Sequence, residues 1–171
     1  MTTVAYLGLG ANLGDTHQSL KDAIVSLAQN AGIKITGRSE IYRSAPVDAT
    51  GDDYLNCAIR LETTLSARQL LTLCLSIEKN FGRERSFRNA PRTLDLDLLL
   101  YGDKHINEPD LLVPHPCIAG RAFVLLPLRD LDFDLEIPGI GRVTDLLPHV
   151  AKQRIELLTS SCCPNRRTSM V

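Results

Sequence analysis

The chain has 171 residues, of which 44% are hydrophobic, and its formal net charge is −1. This length fits one domain with a proper core, and the apolar content excludes a disordered chain. A net charge so close to zero gives no global attraction to nucleic acid or to an acidic membrane, so any anion site must come from local clustering of charge.

Five scattered cysteines predict reduced thiols and exclude a disulfide framework or a cysteine metal site. Cys57, Cys74, Cys117, Cys162 and Cys163 form no Cys-x-x-Cys pair and show no ligand spacing with histidine. We therefore expect a cytoplasmic protein, with Cys57 and Cys74 as small core residues. The amino-terminal segment lacks the basic and apolar regions of a signal peptide. No apolar run is long enough to cross a bilayer.

Hydrophobic periodicity alternates between strand and helix patterns along the first part of the chain. In chain order, we predict a strand at Val4–Gly10, a helix capped by Asp15 and stopped by Gly32, a β-rich stretch at Ile33–Arg43, a loop at Ser44–Asp53, a strand at Tyr54–Thr63, and a helix begun by Ser66 and ended by Gly82. Gln18 and Gln69 complete two capping boxes. With a strand at Asp95, the order β-α-β-β-α-β predicts a ferredoxin-like α+β sandwich, with both helices on one face of an antiparallel sheet.

The pattern weakens after Gly102. We expect a short strand at Lys104–Ile106, a loop at Pro109–Pro116, a helix at Arg121–Leu131 that Pro127 interrupts, and a short helix at Val143–Val150. The chain has no internal repeat and no low-complexity linker. We therefore predict a single domain at residues 1–160, with a short strand and helices as C-terminal additions, and a disordered tail at residues 161–171.

The most informative stretch places two aspartates inside an apolar strand pattern. Asp95 and Asp97 would share a face, while the leucines around them would point the other way: Leu94, Leu96, Leu98 and Leu100. Two like charges repel, and burying them is costly unless they are paired or metal-bound. A solvated pair on an edge strand is the alternative, but the leucine run favours a central strand. Mg²⁺ takes one or two carboxylates together with phosphate oxygens and water, so the pair predicts a metal site.

Four arginines precede the acidic pair, at Arg83, Arg85, Arg88 and Arg92. Arginine can bind phosphate oxygens in a bidentate fork. The segment Ser86–Ala90 has little apolar content, so it could close over a substrate. A solvated basic turn is the alternative. The arginines and aspartates together indicate a site that handles phosphates.

Three weaker signals accompany this pair of clusters. Gly8–Gly14 follows a strand and precedes a helix, as a dinucleotide loop does, but its glycine spacing departs from that motif by one residue. Glycines that allow a tight turn are the alternative. His115 stands between two prolines and could donate a hydrogen bond to a phosphate, although a lone histidine is more often structural. Asn56, close to Tyr54, could read the edge of a heterocycle.

The stretch from Arg88 to Leu99 resembles the signature of the 6-hydroxymethyl-7,8-dihydropterin pyrophosphokinase family of folate biosynthesis. Further blocks agree with the family in order: Tyr6–Asp15, Tyr42–Val47, Tyr54–Asn56, Gly82–Arg85, Val113–Pro116 and Arg121–Leu125. The family fold is a ferredoxin-like α+β sandwich, in agreement with the predicted element order. The resemblance implies transfer of pyrophosphate from ATP to the hydroxymethyl group of the pterin, with release of AMP.

The resemblance also implies a role for each residue that matches a family motif. Asp95 and Asp97 would bind two Mg²⁺ ions, and the catalytic residues would be Arg83, Arg92 and Asp97. The co-substrate ATP would contact Glu78, Arg85, Arg88, Arg92, Leu98, Leu112, His115 and Arg121. The pterin pocket would contain Ser44, Ala45, Val47, Tyr54, Asn56 and Phe123. The partners would be these small-molecule substrates, with no nucleic acid and no membrane, and the protein would be a monomer.

The chain departs from the family pattern at two places. Some members carry a tryptophan near the pterin where this chain has Asn89, and many have more polar residues where it has Cys117–Gly120. The residues also leave two other function classes open. One is a ferredoxin-like RNA-binding module, which an aromatic content of only 5% disfavours. The other is a dinucleotide oxidoreductase that would use Gly8–Gly14.

Overall fold

The computed structural model describes residues 1–12, 14–45, 53–81 and 94–158. Within these ranges the strands are β1 (Thr3–Ala11), β2 (Ile33–Arg38), β3 (Tyr42–Ser44), β4 (Tyr54–Thr63), β5 (Asp95–Tyr101), β6 (Ile106–Glu108), β7 (Leu111–Val113), β8 (Glu136–Ile137), β9 (Gly141–Arg142) and β10 (Ile155–Leu157). The helices are α1 (Thr16–Ala28), α2 (Ala67–Asn80), α3 (Ala122–Leu131) and α4 (Val143–Leu146), with 3-10 turns at Ile118–Gly120 and Leu147–Val150.

The central sheet has six strands in the order β10-β3-β4-β1-β5, and β2 pairs with the far half of β4. All of these pairings are antiparallel, which confirms the predicted α+β fold. The stretch predicted as one β-rich segment is two strands, because the chain leaves the ladder after Arg38. At that break the Ser39 N–H donates to the Ala58 carbonyl at 2.9 Å, and the Ser39 hydroxyl accepts from the Ala58 N–H at 2.8 Å.

Both predicted helices pack on one face of the sheet. Their buried residues are Leu20, Ala23, Ile24 and Leu27 in α1, and Ala67, Leu70, Cys74, Ile77 and Glu78 in α2. The apolar ones join alternate residues of β1, β4 and β5 in one core, which we call the helix-side core. Cys57 and Cys74 belong to it, as predicted, and burial raises the pKa of each thiol to about 12.

Both predicted N-caps are confirmed, whereas the capping box predicted at Gln18 and the predicted end of α1 are wrong. Ser66 and Gln69 form the full capping box of α2. Asp15 caps α1 by accepting from the Gln18 N–H at 3.1 Å, whereas the Gln18 side chain bonds Asp22 instead of closing the box. The predicted stop at Gly32 is wrong, because α1 ends at Ala28. The Asn30 side chain accepts from the Gly32 N–H at 2.8 Å and so stabilises a turn there.

The opposite face of the sheet carries a second apolar core under α3, which we call the α3-side core. It includes Tyr6 of β1, Leu99 and Leu100 of β5, and Leu125 and Leu128 of α3. The prediction that Leu100 shares a face with Leu96 and Leu98 is wrong. The β1–β5 register shifts so that Tyr6 opposes Leu100 while Leu7 opposes Leu98. Such a bulge at Leu99 places two consecutive leucines toward α3.

The prediction that the aspartate strand is central is also wrong, because β5 lies at the edge of the sheet. Its leucines are nonetheless buried, since Leu96 and Leu98 join the helix-side core and Leu99 and Leu100 join the α3-side core. Buried leucines on both faces are typical of a central strand, and the leucine pattern therefore predicted one. The sequence pattern reports burial on each face, and it carries no information about neighbours in the plane of the sheet.

Three predictions after β5 need correction. The strand expected at Lys104–Ile106 is β6, which begins at Ile106 and pairs with β7 inside the predicted loop. Pro127 lies within a continuous α3 and does not interrupt it. The helix expected at Val143–Val150 is divided into α4 and a 3-10 turn. Across the described ranges, no helix combines the length and apolar character needed to span a membrane.

Candidate active site

A row of polar positions crosses the α3 face of the sheet where α3 does not cover it. Gly10 of β1 lies opposite Asn56 of β4 on one side and Asp95 of β5 on the other. The next row along β1 places Gly8 between Ala58 and Asp97. Residues directly opposite in antiparallel strands share a face. The sheet therefore brings the two predicted metal ligands and the predicted pterin amide onto one surface, with glycines between them.

The glycines of β1 form the floor between the carboxylates and the amide. A Cβ atom at Gly10 would lie 3.1 Å from the Asn56 Oδ1 atom, tighter than an ordinary contact. A Cβ atom at Gly8 would meet the Leu99 methyl carbons at 3.4 Å and beyond, which is ordinary packing distance. The close approach at Gly10 explains why this strand position carries no side chain.

The structure does not support a dinucleotide loop at Gly8–Gly14. That motif places its glycines in a turn after a parallel strand. Here Gly8 and Gly10 lie inside β1, and β1 is antiparallel to both of its neighbours. The turn interpretation is right only for Gly14, whose φ is +68°.

A buried hydrogen bond orients the predicted pterin amide. The Asn56 Nδ2 atom donates to the Ser44 Oγ atom at 2.7 Å, and both residues are buried. The bond directs the Asn56 Oδ1 atom toward Gly10, so this carbonyl oxygen is placed to accept from a ligand above the glycine floor. Tyr54 pairs with Ser44 across β3 and β4 and extends the same face.

His115 lies in a loop fixed to the bulge of β5. Its backbone N–H donates to the Leu99 carbonyl at 3.0 Å, and its Nδ1 atom accepts from the Cys117 N–H at 3.1 Å. The neutral ring consequently carries its proton on Nε2, where it can be donated to a ligand. Burial lowers the pKa of His115, the Arg121 charge lowers it further, and the Asp95 charge opposes both effects. The charges of Asp95 and Arg121 therefore both act on His115.

The amino-terminal end of α3, the end of β3 and β10 line a half-open cavity of about 380 Å³. Its lining residues are Ser44, Ala45, Gly120, Arg121, Ala122, Phe123, Gln153, Arg154 and Ile155. Three of the predicted pterin residues line it, namely Ser44, Ala45 and Phe123. The Arg121 guanidinium lies 5.4 Å from the centre of the Phe123 ring, within cation–π range.

Sequence reasoning missed the contribution of Gln153, Arg154 and Ile155 to this cavity. They belong to β10 or directly precede it, and β10 is a three-residue strand that pairs Ile155 with Ser44. So short a strand has no periodic signal. The Arg154 side chain adds a second positive charge to the residues around the cavity.

Three predicted nucleotide contacts lie away from this face. Glu78 is buried on the helix side, where its Oε1 atom accepts from the Leu96 N–H at 2.7 Å, between the two aspartates of β5. The Leu98 side chain belongs to the helix-side core. Leu112 is exposed on β7. The roles assigned to these residues stay predictions, and the observed contact of Glu78 is with the backbone of the aspartate strand.

Several predicted site residues lie outside the described residues. They are Val47, Arg83, Arg85, Arg88 and Arg92, and with them Asn89 of the predicted mobile segment. Their assignments stay predictions, as does the disordered tail at residues 161–171.

The donor set on the sheet face suits a hard divalent cation shared with a substrate. Among the described residues, no group of three or more His, Cys, Asp and Glu side chains could hold a metal ion by itself. Asp95 and Asp97 instead form a pair, and both are partly buried. Mg²⁺ commonly binds through one or two carboxylates plus substrate phosphates and water, so the pair fits this ion.

Comparison with known proteins identifies the family. The family model of 7,8-dihydro-6-hydroxymethylpterin-pyrophosphokinase (HPPK) matches residues 6–133. The chain is 43% identical over 138 residues to 2-amino-4-hydroxy-6-hydroxymethyldihydropteridine pyrophosphokinase of Methylorubrum extorquens, covering 80% of this chain and 87% of that one. It is 38% identical over 146 residues to the enzyme of the same name from Bacillus subtilis, covering 85% and 87%.

Solved structures agree on the fold. Wild-type Plasmodium falciparum HPPK-DHPS superposes with a TM-score of 0.70 at 13% identity, covering 92% of this chain. The match spans 48% of that longer chain. At this identity the likeness shows the fold alone, and the sequence relatives show the family. The chain belongs to the 7,8-dihydro-6-hydroxymethylpterin-pyrophosphokinase family.

Proposed function

We propose that the glycine-floored face of the sheet is where this protein transfers pyrophosphate from ATP to the hydroxymethyl group of 6-hydroxymethyl-7,8-dihydropterin. The protein is an ATP-dependent diphosphotransferase of folate biosynthesis, in keeping with its family and its named relatives. The products are the pterin diphosphate and AMP. The observation that carries the assignment is the register that sets Asn56, Gly10 and Asp95 side by side.

The Asn56 side of the face suits a flat heterocycle. The Asn56 Oδ1 atom is held by the bond to Ser44 and accepts from ring N–H groups. Gly10 leaves room for a ring to approach the sheet, and Tyr54 and Phe123 supply aromatic contact. Ala45 and Val47 would complete the pocket. A hydrogen-bonding amide discriminates strongly against rings that lack the matching donor, because its own polar group would stay unsatisfied.

The aspartate side of the face suits a polyphosphate. Asp95 and Asp97 would hold two Mg²⁺ ions, which when bound neutralise charge on the phosphates. His115 can donate its Nε2 proton to a phosphate oxygen, and burial together with the Arg121 charge lowers its pKa. Arg121 would add a charged contact. Arg83, Arg85, Arg88 and Arg92 would contact the triphosphate.

Phosphoryl-type transfer depends mainly on positioning and electrostatic stabilisation. A rigid strand holds Asp95 and Asp97, and the register sets their distance from the pterin amide. The segment Ser86–Ala90 would exclude water, which would otherwise hydrolyse ATP. We further propose that the protein acts as a cytoplasmic monomer on these small molecules alone, without nucleic acid or membrane partners.

The test is the dependence of AMP formation on each component. The purified protein should release AMP from ATP only when hydroxymethyldihydropterin and Mg²⁺ are both present, with one pterin diphosphate formed per AMP. Omission of the pterin or chelation of Mg²⁺ should abolish release. Release of ADP, or AMP formation that does not require the pterin, would overturn the proposal.

A further inference from the structure

Gln153 makes hydrogen bonds on both sides of Arg121. Its Oε1 atom accepts from the Ala122 N–H at 2.9 Å, and its Nε2 atom donates to the Gly120 carbonyl at 2.8 Å. One partner requires an acceptor and the other a donor, so the orientation of the amide is fixed by its contacts. The side chain thereby spans the residues immediately before and after Arg121.

This contact replaces a missing helix cap. Arg121 is the N-cap residue of α3, has extended backbone angles of φ −130° and ψ 117°, and makes no side-chain capping bond. Ala122 is the first helical residue and is 3% exposed, so its N–H needs a partner that water cannot readily supply. Gln153 provides that partner from a segment 31 residues further along the chain.

The turn at Gly120–Ala122 sets the orientation of Arg121 and Phe123, the side chains predicted to contact ATP and the pterin. Arg121 stands between the two bonds, and Phe123 lies two residues beyond it in the first turn of α3. The Arg121 guanidinium also contacts the Phe123 ring, with a centroid distance of 5.4 Å. The same cavity as that of Ser44 is lined by Arg121 and Phe123 and by the residues that hold their turn, namely Gly120, Ala122 and Gln153. A change in the backbone at Gly120–Ala122 would therefore move a phosphate contact and a pterin contact together.

We propose that Gln153 is a positioning residue, which holds Arg121 and Phe123 in the orientation that binds ATP and the pterin. This role rests on the proposed function, because it assigns the two residues to the substrates of that reaction. Stability of α3 itself has another source. Leu125 and Leu128 are fully buried in the α3-side core and anchor the helix regardless of Gln153.

The test uses Gln153→Met, which keeps the length of the side chain and removes both hydrogen bonds. We expect kcat/KM for ATP to fall on the order of 10-fold, since small displacements of substrate-positioning groups have effects of this size or larger. Thermal unfolding should shift by about 8 °C or less, as expected for the loss of two neutral hydrogen bonds. Lys152→Ala, at the exposed neighbouring residue, is the matched control and should keep wild-type kinetics.

The Arg121→Ala background separates positioning from general damage. If Gln153 acts through Arg121, Gln153→Met should lower kcat/KM for ATP by less than about twofold when Arg121 is already absent. Equal losses in both backgrounds, or no loss in the wild-type background, would overturn the proposal. Wild-type ATP kinetics in Arg121→Ala alone would overturn it as well. Absence of AMP formation by the unmodified protein would instead overturn the proposed function.

Gln153→Asn provides a second test for the case in which Gln153→Met does not fold. Asparagine retains the amide but is one methylene shorter, so it cannot reach both Gly120 and Ala122 from the same backbone position. We expect weaker binding of a non-hydrolysable ATP analogue by calorimetry, with a loss no larger than that in Arg121→Ala. Wild-type affinity in a folded Gln153→Asn protein would contradict the need for both bonds.

Discussion

The two faces of the central sheet are built from the same strands but for different purposes. Toward α1 and α2, β1 presents Leu7 and Leu9, and β5 presents Leu96 and Leu98, all of them buried. Toward the other side, the same stretch of β1 presents Gly8 and Gly10, and β5 presents its two aspartates. One face is therefore occupied by side chains that pack, and the other leaves space above a rigid floor.

The difference shows how a strand can stabilise the fold and form a site at once. Successive side chains of a strand point to opposite faces, so Leu9 can pack while Gly10 stays open beside it. The helix-side core fixes the register, and the register sets the spacing of Asn56, Gly10 and Asp95. Substitutions on the helix face should therefore change stability, whereas substitutions on the glycine-floored face should change catalysis.

The largest effect is expected from Asp97→Asn. Neutralising one carboxylate of the pair removes a metal ligand, and turnover should fall by about 10³-fold. The folded state should persist, because Asp97 lies outside both apolar cores. Steady-state AMP formation measures the loss. Asp103→Asn, in the exposed turn after β5, is the control. Turnover of the Asp97 variant within a few-fold of wild type would show that its assigned role is wrong.

The opposite outcome is expected from Leu70→Ala on the helix face. Leu70 is fully buried, so its truncation should lower the free energy of unfolding by about 2–5 kcal/mol. The folded fraction should keep wild-type KM values for both substrates. Urea unfolding provides the measurement. Leu75→Ala on the same helix serves as the comparison, because Leu75 is half exposed and should cost less than about 1 kcal/mol. A raised pterin KM in Leu70→Ala would contradict the separate roles of the two faces.

A smaller effect on substrate binding is expected from Gly10→Ala. The added methyl group would lie 3.1 Å from the Asn56 Oδ1 atom, so the amide must shift or its ligand must move away. We expect the pterin KM to rise by about 10-fold, equivalent to about 1.4 kcal/mol. Gly8→Ala tests the geometry, because its methyl group meets Leu99 at ordinary packing distance and should change the pterin KM less. Equal effects at the two glycines would contradict the proposed floor beneath the pterin.

The smallest effect concerns the pH dependence of stability. Burial, with help from the Arg121 charge, lowers the pKa of His115 below its ordinary value of about 6.5. As pH falls below about 6.5, the unfolded chain therefore takes up the proton first, and the folded state loses stability. Above that pH the contribution is complete. Urea unfolding between pH 7.5 and 5 should show a flatter decline for His115→Asn than for wild type. His149→Asn is the control for removal of an exposed histidine. An unchanged decline in His115→Asn would show that His115 does not cause the loss of stability.

Local patterns predicted the parts of the fold that depend on neighbours in sequence. The bounds of β4 and the capping box at Ser66 follow from alternation and from contacts within one helical turn. The shared face of Asp95 and Asp97 follows from the two-residue period of a strand. The position of β5 at the sheet edge did not follow, because its leucines are buried in the two cores and its composition resembles that of a central strand.

Other features depend on partners that are distant in sequence. The bulge at Leu99 arises from pairing with β1, so alternation alone placed Leu100 on the wrong face. Gln153 gave no signal, because its two partners lie 31 and 33 residues away. The strand predicted at Val4–Gly10 contains Gly8 and Gly10, but only the pairing of Gly10 with Asn56 explains why a glycine stands there. Residue types indicated the chemistry of the candidate site, but the arrangement of its side chains depends on the tertiary fold.

A crystal structure of the protein with Mg²⁺, a non-hydrolysable ATP analogue and hydroxymethylpterin would show directly which residues hold the metal and the pterin. We expect metal bound by the carboxylates of Asp95 and Asp97, and the pterin ring above Gly10 with a hydrogen bond to the Asn56 Oδ1 atom. Metal and pterin bound away from the glycine-floored face, in a protein that remains active, would contradict this expectation.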